Sequence, residues 1–227
     1  MIKTTEDKNT LNLSSTIRNK QSQIVKRKSQ ISLNFERQAI TDGYNFVAGV
    51  DEVGRGCLAG AVVAAACILD ISKPLPEGLN DSKKLSAKKR EHIAEELKQT
   101  ALAYAVGQVE ADEIDRINIL QATKKAMQLA IENLQLKADF LLIDALELKE
   151  IPLPQKAIIK GDTVSASIAA ASIIAKVYRD NLMCELGGIY PKYGFSKHAG
   201  YGTKAHFEAL RKHGACPLHR KSFRGVL

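Results

Sequence analysis

Three short apolar runs that each end at a carboxylate constrain the fold of this chain more than any other feature. The segments "FVAGV", "FLLI" and "AIIKG" are followed by Asp51 and Glu52, by Asp144 and by Asp162. Runs of this length and composition predict strands that are buried inside a sheet. Because functional groups in α/β sheets gather at strand ends, we expect these acidic positions to lie near one another.

The patterns along the rest of the chain predict a mixed α/β domain. Besides the strand that ends at Asp51 and Glu52, further strands are expected at 61–69, 101–109, 139–146 and 156–160. Ser86 is the predicted N-cap of a helix that ends near Lys98. Later helices are expected at 111–134, 163–186 and 203–212. Three early strands followed by alternating helices and strands predict a mixed sheet flanked by helices, with a helical C-terminal region.

The length of 227 residues fits one domain with an extension. Residues 1–34 are polar and basic and lack apolar periodicity, which predicts a disordered segment, or alternatively a frayed tail, before a folded domain at 35–227. No apolar run is long enough to cross a bilayer, and no secretory signal is expected. The four cysteines show no CxxC spacing, which favours reduced thiols and a cytoplasmic location.

The charge distribution indicates a polyanionic partner. The formal net charge is +8 and the pI is about 9.3. From Pro191 onward eight Lys or Arg residues accompany a single acid, Glu208, and four of the five histidines lie in the same region. Cations among aromatic rings suit a surface that holds phosphates and stacks on sugars or bases. Nucleic acid is therefore the first expected partner.

The acidic positions at the strand ends predict a divalent metal site. Carboxylates at the ends of buried strands are partly desolvated and repel one another. Oxygen ligands without histidine or cysteine suit Mg²⁺ or Mn²⁺, and two such ions about 4 Å apart can hydrolyse a phosphodiester. The alternative is that each acid is a separate turn residue, helix cap or salt-bridge partner. Asp51 and Glu52 face opposite sides of an ideal strand, so both serve one site only where the strand ends or twists, unless one contributes its backbone carbonyl.

The stretch Gly54-Arg55-Gly56 directly follows the first acidic pair and indicates contact with a ligand. Glycines let the backbone approach a ligand closely and adopt positive φ angles. Successive N–H groups in such a turn can form an anion-binding nest, to which Arg55 adds a cation. An ordinary glycine turn is the alternative, because the stretch does not form a GxGxxG motif.

Taken together, the motifs of this chain resemble those of ribonuclease HII, the type 2 ribonuclease H of bacteria. The resemblance runs from Phe46 to Phe223 over "GVDEVGRGCLAGAVVAAA", "LNDSKKLS", "LLIDAL", "IIKGDTVSASIAAASIIAKVYRD" and "YGFSKHAGYGTKAHFEALRKHGACPLHRKSF". Ribonuclease HIII fits less well, because it usually has threonine at the Arg55 position and a larger folded N-terminal domain. The resemblance implies an RNase H-like fold and makes 35–227 a catalytic domain that includes the basic C-terminal helices.

The activity that the resemblance implies is endonucleolytic. It covers cleavage of RNA in RNA–DNA hybrids and incision on the 5′ side of a single ribonucleotide embedded in duplex DNA, leaving 3′-hydroxyl and 5′-phosphate ends. The resemblance places the metal-binding, catalytic acids at Asp51, Glu52, Asp144 and Asp162, where they would hold two Mg²⁺ or Mn²⁺ ions. One ion would lower the pKa of an attacking water and the other would stabilise the leaving 3′-oxygen. A monomer without a membrane partner is expected.

Substrate-binding roles follow from the same resemblance. Gly54-Arg55-Gly56 would contact the ribose 2′-hydroxyl at the RNA–DNA junction, the group that distinguishes RNA from DNA. Tyr201 would pack on the sugar that follows the ribonucleotide, and Lys83 would lie near the scissile phosphate. The alternatives are a core or turn tyrosine and a solvated lysine.

Several features remain open at this point. The family usually has proline where Cys57 and Ala61 stand, which puts the stiffness of the glycine loop in doubt. Ser165 and Ser167 are expected to allow tight packing of a helix on the sheet rather than to take part in chemistry. A different metal nuclease on the same fold, such as a structure-specific resolvase, and a non-catalytic nucleic-acid binder are the competing functions. Structural roles are the alternative for the C-terminal histidines, His198, His206, His213 and His219.

Overall fold

The computed structural model describes residues 31–226. The predicted basic extension, 1–34, lies outside the described residues except for its last four positions. There the Ser32 amide donates to the Val164 carbonyl at 3.1 Å, and the Ser32 carbonyl accepts from the Ala166 amide at 3.1 Å. A first helix, α1, follows at Asn34–Thr41. The chain before α1 is therefore attached to the folded domain from Ser32 onward.

Five strands form one mixed sheet in the order β3-β2-β1-β4-β5. β1 pairs antiparallel with β2 and parallel with β4, which places it at the centre. β2 pairs antiparallel with β3, and β4 pairs parallel with β5. The predicted mixed α/β sheet is confirmed. The strands are β1 Val47–Val53, β2 Val62–Ile68, β3 Ala103–Val109, β4 Phe140–Asp144 and β5 Gln155–Ile158.

Helices flank the sheet, as the sequence predicts. Ser86 caps the N-terminus of α2, where its hydroxyl accepts a hydrogen bond from the Lys89 amide. The last two helices, α6 and α7, form the predicted helical C-terminal region. The helices after α1 are α2 Ala87–Thr100, α3 Ala111–Ile117, α4 Ile119–Glu132, α5 Ala166–Ile189, α6 Phe195–His198 and α7 Lys204–His213.

The prediction of one continuous helix over 111–134 was wrong, because the chain breaks at Asn118 between α3 and α4. Asn118 has a φ of 67°, which a right-handed helix cannot include. Its side-chain oxygen accepts hydrogen bonds from the Leu120 and Gln121 amides and so caps α4. Asparagine tolerates the left-handed region and competes locally for backbone donors, which explains the break.

Both faces of the sheet are covered, and β2 shows this most clearly. Val62, Ala64 and Ala66 pack under α4 on one face. Val63 and Ala65 pack under α2 and α5 on the other face. A strand with two covered faces is apolar at every position, which is why residues 61–69 form a continuous apolar run.

Glycines in the strands let two helices lie close on the sheet. A Cβ at Gly49 would collide with the backbone of Ser167 in α5, and one at Gly107 would collide with the Ala126 carbonyl in α4. The small residues at the start of α5, with Ser165 and Ser167 buried among them, therefore serve tight packing of this helix on β1. Within the described part of the chain, no helix combines the length and apolar character needed to cross a membrane.

Candidate active site

Two neighbouring strands bring three of the predicted acids together. The parallel pairing of β1 with β4 ends at Val50 and Ile143, so Asp51, Glu52 and Asp144 lie just beyond it. One oxygen from each of these carboxylates lies within 4.8 Å of the others. Adjacent residues of β1 therefore serve one site because they lie past the end of the parallel ladder. We call these three residues the carboxylate cluster.

The fourth predicted acid, Asp162, lies beside the carboxylate cluster and is not part of it. It occupies a 3₁₀ turn, Gly161–Thr163, that follows β5, and it is only 5% exposed. The Gly161 amide donates to Asp144 Oδ1 at 2.7 Å and ties this turn to the cluster. Burial, and then the charge of Asp162, raise the pKa of Asp144. Asp162 is therefore close enough to influence the cluster electrostatically.

The carboxylate cluster is electrostatically costly without a cation. Burial, followed by the charge of Glu52, raises the pKa of Asp51 well above its ordinary value. Burial also raises the pKa of Glu52, although an ion pair with Arg55 at 3.2 Å opposes this effect. Glu52 Oε2 is buried and has no hydrogen-bond partner among the described residues. An all-oxygen set with an unpartnered buried oxygen fits a hard divalent cation such as Mg²⁺ or Mn²⁺.

Lys83 approaches the site from the loop before α2. Its Nζ lies 3.2 Å from Asp162 Oδ2, while its side chain remains 78% exposed. Partial burial alone lowers the pKa of Lys83, but the hydrogen bond and charge of Asp162 and the charge of Asp51 raise it overall. The ammonium is therefore positively charged at neutral pH and open to a second anion from solvent.

The predicted glycine loop forms a tight turn next to the carboxylate cluster. The Cys57 amide donates to the Gly54 carbonyl at 3.3 Å, which makes Arg55 and Gly56 the central residues of the turn. Gly54 has a φ of 90°, and a side chain there would collide with Arg179. A Cβ at Gly56 would meet nothing within 4 Å. The fold thus requires glycine at position 54, whereas position 56 leaves room for a ligand.

Tyr201 lies against the same loop. The Leu58 amide donates to the Gly200 carbonyl at 2.8 Å, which joins the two segments. Tyr201 is 40% exposed, and burial together with the neighbouring Cys57 thiol raises its pKa. The aromatic ring is therefore held beside the glycine turn with one part open to solvent.

Comparison with known proteins identifies the family to which this arrangement belongs. The family model for ribonuclease HII matches residues 48–226. The chain belongs to the ribonuclease HII family. It is 58% identical over 194 residues to the ribonuclease HII of Desulfitobacterium hafniense (strain DSM 10664 / DCB-2), covering 86% of this chain and 74% of that one. As a member of this family, the chain is a nuclease of the hydrolase class.

Other relatives extend the likeness to sequence and structure. The ribonuclease HII of Vibrio campbellii (strain ATCC BAA-1116) is 58% identical over 184 residues, covering 81% of this chain and 86% of that one. The crystal structure of the ribonuclease H2 from Pyrococcus horikoshii OT3 matches with a TM-score of 0.68 and 27% identity, covering 80% of this chain and 95% of that one. The mixed sheet with flanking helices is therefore a ribonuclease HII fold.

Sequence reasoning missed two buried arginines of this ribonuclease HII fold. Arg179, on α5, is fully buried. Its guanidinium donates to the carbonyls of Ala61 at 2.9 Å, Ala199 at 2.8 Å and Ala59 at 3.1 Å. Arg179 therefore joins the segment that follows the glycine turn to the segment before Tyr201. An arginine on the apolar face of a helix was the signal that could have revealed it.

Arg220 is the second buried arginine. It donates to the Gly60 carbonyl through Nε at 3.1 Å and Nη2 at 2.8 Å, and to the Arg55 carbonyl through Nη1 at 2.9 Å. Burial lowers the pKa of Arg220 to about 10, so it stays charged at neutral pH. The Arg55 carbonyl therefore points towards the protein interior. Because the C=O and N–H of one peptide group point in opposite directions, the N–H of the following residue, Gly56, points away from the interior. No local sequence pattern pairs Arg220 with a loop 160 residues earlier.

Proposed function

We propose that this chain cleaves the RNA strand of RNA–DNA hybrids and incises the 5′ side of a single ribonucleotide embedded in duplex DNA. The products would carry 3′-hydroxyl and 5′-phosphate ends. Membership of the ribonuclease HII family supports endoribonuclease activity on hybrids. The observation that supports the finer proposal is the position of the carboxylate cluster directly before the tight turn at Arg55 and Gly56.

The carboxylate cluster would hold divalent metal, with Asp162 as a further ligand at its edge. The cluster contains three convergent carboxylates. Among the described residues, Glu52 with Arg55 is the only ion pair that a member of the cluster makes, and it leaves Glu52 Oε2 unpartnered. When bound, two Mg²⁺ or Mn²⁺ ions would activate an attacking water and stabilise the leaving 3′-oxygen. The chain itself contributes the fixed positions of the ligands, because β1 and β4 are central and buried.

The tight turn would recognise the ribose. The central amides of a turn closed by Gly54 and Cys57 are not used by the turn itself, and inward-facing carbonyls leave these amides on the outer side. Amides in this position would donate to oxygens of the substrate, including the 2′-hydroxyl that distinguishes RNA from DNA. The guanidinium of Arg55, which is exposed, would contact the adjacent phosphate.

Tyr201 would select a junction with DNA. Its ring lies beside the turn, where it would pack on the sugar after the ribonucleotide. An extra 2′-hydroxyl on that sugar would collide with the ring, so a following deoxyribonucleotide is preferred. Lys83 would contact the scissile phosphate through the exposed part of its ammonium. The exposed basic residues after Pro191, which do not include the buried Arg220, would hold the duplex backbone, so affinity should fall as salt rises.

The test uses a duplex with one ribonucleotide, a continuous RNA–DNA hybrid and an all-DNA duplex, each with and without Mg²⁺ or Mn²⁺. Asp144→Asn should abolish cleavage of the first two while hybrid binding survives, because it removes one convergent carboxylate. Near-normal turnover by this variant would contradict the metal-site assignment. Metal-dependent cleavage of branched all-DNA substrates would favour a structure-specific nuclease instead, and binding without cleavage would indicate a non-catalytic binder.

Tyr201→Ala separates recognition from chemistry. We expect slower incision at a lone ribonucleotide and a smaller effect on a continuous RNA strand, because the metal ligands are untouched. Unchanged incision at the lone ribonucleotide would remove Tyr201 from substrate recognition.

A further inference from the structure

A buried chain of hydrogen bonds leads from the C-terminal segment to Tyr201. The Cys216 amide donates to His219 Nδ1 at 2.9 Å. His219 Nε2 and His206 Nε2 lie 3.0 Å apart, and His206 Nδ1 lies 2.9 Å from the Tyr201 carbonyl oxygen. Both imidazoles are almost completely buried. The two rings are therefore shielded from bulk water.

The two ends of this chain determine where every proton lies. An amide N–H can only donate, so His219 Nδ1 holds a lone pair and the neutral ring is protonated on Nε2. A carbonyl can only accept, so His206 Nδ1 holds a proton and its Nε2 holds a lone pair. His219 Nε2–H then donates to His206 Nε2. This single arrangement satisfies all three contacts. The Cys216 carbonyl oxygen, 3.3 Å from His219 Nδ1, accepts instead from the His219 amide at 3.0 Å.

We infer that His206 and His219 form a relay of two neutral imidazoles that positions Tyr201 for recognition of the ribonucleotide sugar. They are positioning residues, because they act through Tyr201 and do not contact the reacting atoms. The inference rests on the proposed role of Tyr201 and adds the groups that hold it.

The relay also reaches the glycine loop. On either side of His219, the Leu218 carbonyl accepts from the Gly60 amide at 2.8 Å, and the Arg220 amide donates to the Leu58 carbonyl at 2.8 Å. The same C-terminal segment is therefore attached to the glycine loop through its backbone and to Tyr201 through its histidines. This double attachment keeps the two proposed recognition elements in one relative position.

Aromatic rings and one further imidazole surround the relay. His198 stacks on His206 with centroids 4.5 Å apart, and its Nε2 lies 2.8 Å from the Tyr193 carbonyl oxygen, to which it donates. The rings of Tyr193 and Phe195 pack on His219 at 4.9 and 5.6 Å. These rings pack against both imidazoles and help to bury them.

The charged and titratable groups nearby do not favour protonation of the relay. The Cys216 thiol lies 3.1 Å from His219 Nδ1, and the guanidinium of Arg220 is directed at the Gly60 carbonyl. Burial lowers the pKa of His206, and burial with the neighbouring His206 lowers the pKa of His219 to about 4. A proton added to either ring would set two N–H groups against each other, so the neutral state and the relay require each other.

The first test reads the protonation state directly on the intact, metal-free protein. Long-range ¹H–¹⁵N correlation spectra of histidine-labelled protein at neutral pH should show His206 protonated on Nδ1 and His219 protonated on Nε2. Single His→Asn variants assign the signals. Finding His206 as the Nε2–H tautomer, or either ring charged at neutral pH, would overturn the relay.

The second test uses variants that keep different halves of the His206 contacts. Asparagine places its amide near the position of Nδ1, and glutamine places its amide near Nε2. His206→Gln should therefore lose the bond to Tyr201 and lower the ratio of lone-ribonucleotide to continuous-hybrid cleavage about tenfold, the effect of one buried hydrogen bond. His206→Asn keeps that bond and should lower the ratio much less. Exposed His213, changed to Gln, is the control on the same helix.

The outcomes separate the relay from the proposed role of Tyr201. If Tyr201→Ala lowers the cleavage ratio and His206→Gln does not, the relay does not position Tyr201. If Tyr201→Ala leaves the ratio unchanged, recognition by Tyr201 and its positioning are both refuted, while the spectra still decide the proton arrangement. Should His206→Gln fail to fold, His219→Asn breaks the relay one step earlier and should lower the ratio in the same direction.

Discussion

Replacing Asp51 with asparagine should stabilise the metal-free protein while it destroys activity. The carboxylate oxygens of the cluster lie at most 4.8 Å apart. Two unit charges at that distance repel by ~3.5 kcal/mol at an effective dielectric constant of about 20. Part of this cost is already relieved, because the raised pKa of Asp51 favours its neutral form. We therefore expect the unfolding free energy of the metal-free variant to rise by about 1–3 kcal/mol at pH 7. Asparagine keeps the oxygen that accepts from the Glu52 amide at 2.7 Å, so local geometry should survive.

The pH dependence follows from the same shift. Asp51 in the folded protein takes up a proton more readily than in the unfolded chain, since its folded pKa is raised. The destabilisation is therefore full above the folded pKa and disappears as pH falls towards the unfolded pKa of about 4. As pH is lowered from 7, the free energy of unfolding of metal-free wild type should therefore approach that of the variant, until the two are equal.

Urea denaturation with a chelator and with Mg²⁺ or Mn²⁺ tests both statements. At a metal concentration 100 times the dissociation constant, the free energy of unfolding of wild type should rise by about 2.7 kcal/mol, and that of Asp51→Asn should rise much less. Glu147→Gln, which neutralises an exposed carboxylate outside the cluster, should behave like wild type. An Asp51→Asn protein that is less stable than wild type without metal, or that gains as much from metal, would refute a shared cation.

Three further predictions concern the scaffold, each measured by urea denaturation. Gly49→Ala should cost about 3 kcal/mol, since its methyl group would collide with the Ser167 backbone; an unchanged midpoint would mean that α5 can move away. Arg179→Met should lower the free energy of unfolding by about 3 kcal/mol, because it removes the donor from three carbonyls, two of which are buried; a neutral result would show that water replaces the guanidinium. Lowering the pH from about 6.5 to about 4 should reduce the free energy of unfolding by ~3 kcal/mol, because buried His219 is forced to ionise, and His219→Gln should lack this decrease.

The acidic positions were predictable because a strand end leaves a local signature. The apolar runs before Asp51 and Asp144 lead into these acids along buried strands, as predicted. The prediction of a buried strand before Asp162 was wrong, because β5 is a mostly exposed edge strand that ends at Ile158, four residues before the acid. The N-cap at Ser86 is equally local. Asn118 shows the limit of this reasoning, since apolar periodicity continues through a residue whose φ ends the helix.

Asp162 and Arg220 could not be placed in the same way. Whether Asp162 enters the cluster or lies beside it depends on a turn after β5 whose position is set by the Asp144 side chain. Arg220 reaches the glycine loop across 160 residues. Contacts of this kind depend on how separate elements pack, and no spacing in the chain encodes them.

The sequence by itself determined where the central strands lie, which strand is buried on both faces and where the glycine turn lies, because these depend on neighbours in the chain. Only the tertiary structure decided that β1 pairs with β4, so that Asp51 and Asp144 end side by side, and that two histidines from separate segments meet behind Tyr201. Strand order and side-chain contacts between distant segments result from packing the whole domain, in which many weak local preferences are resolved together.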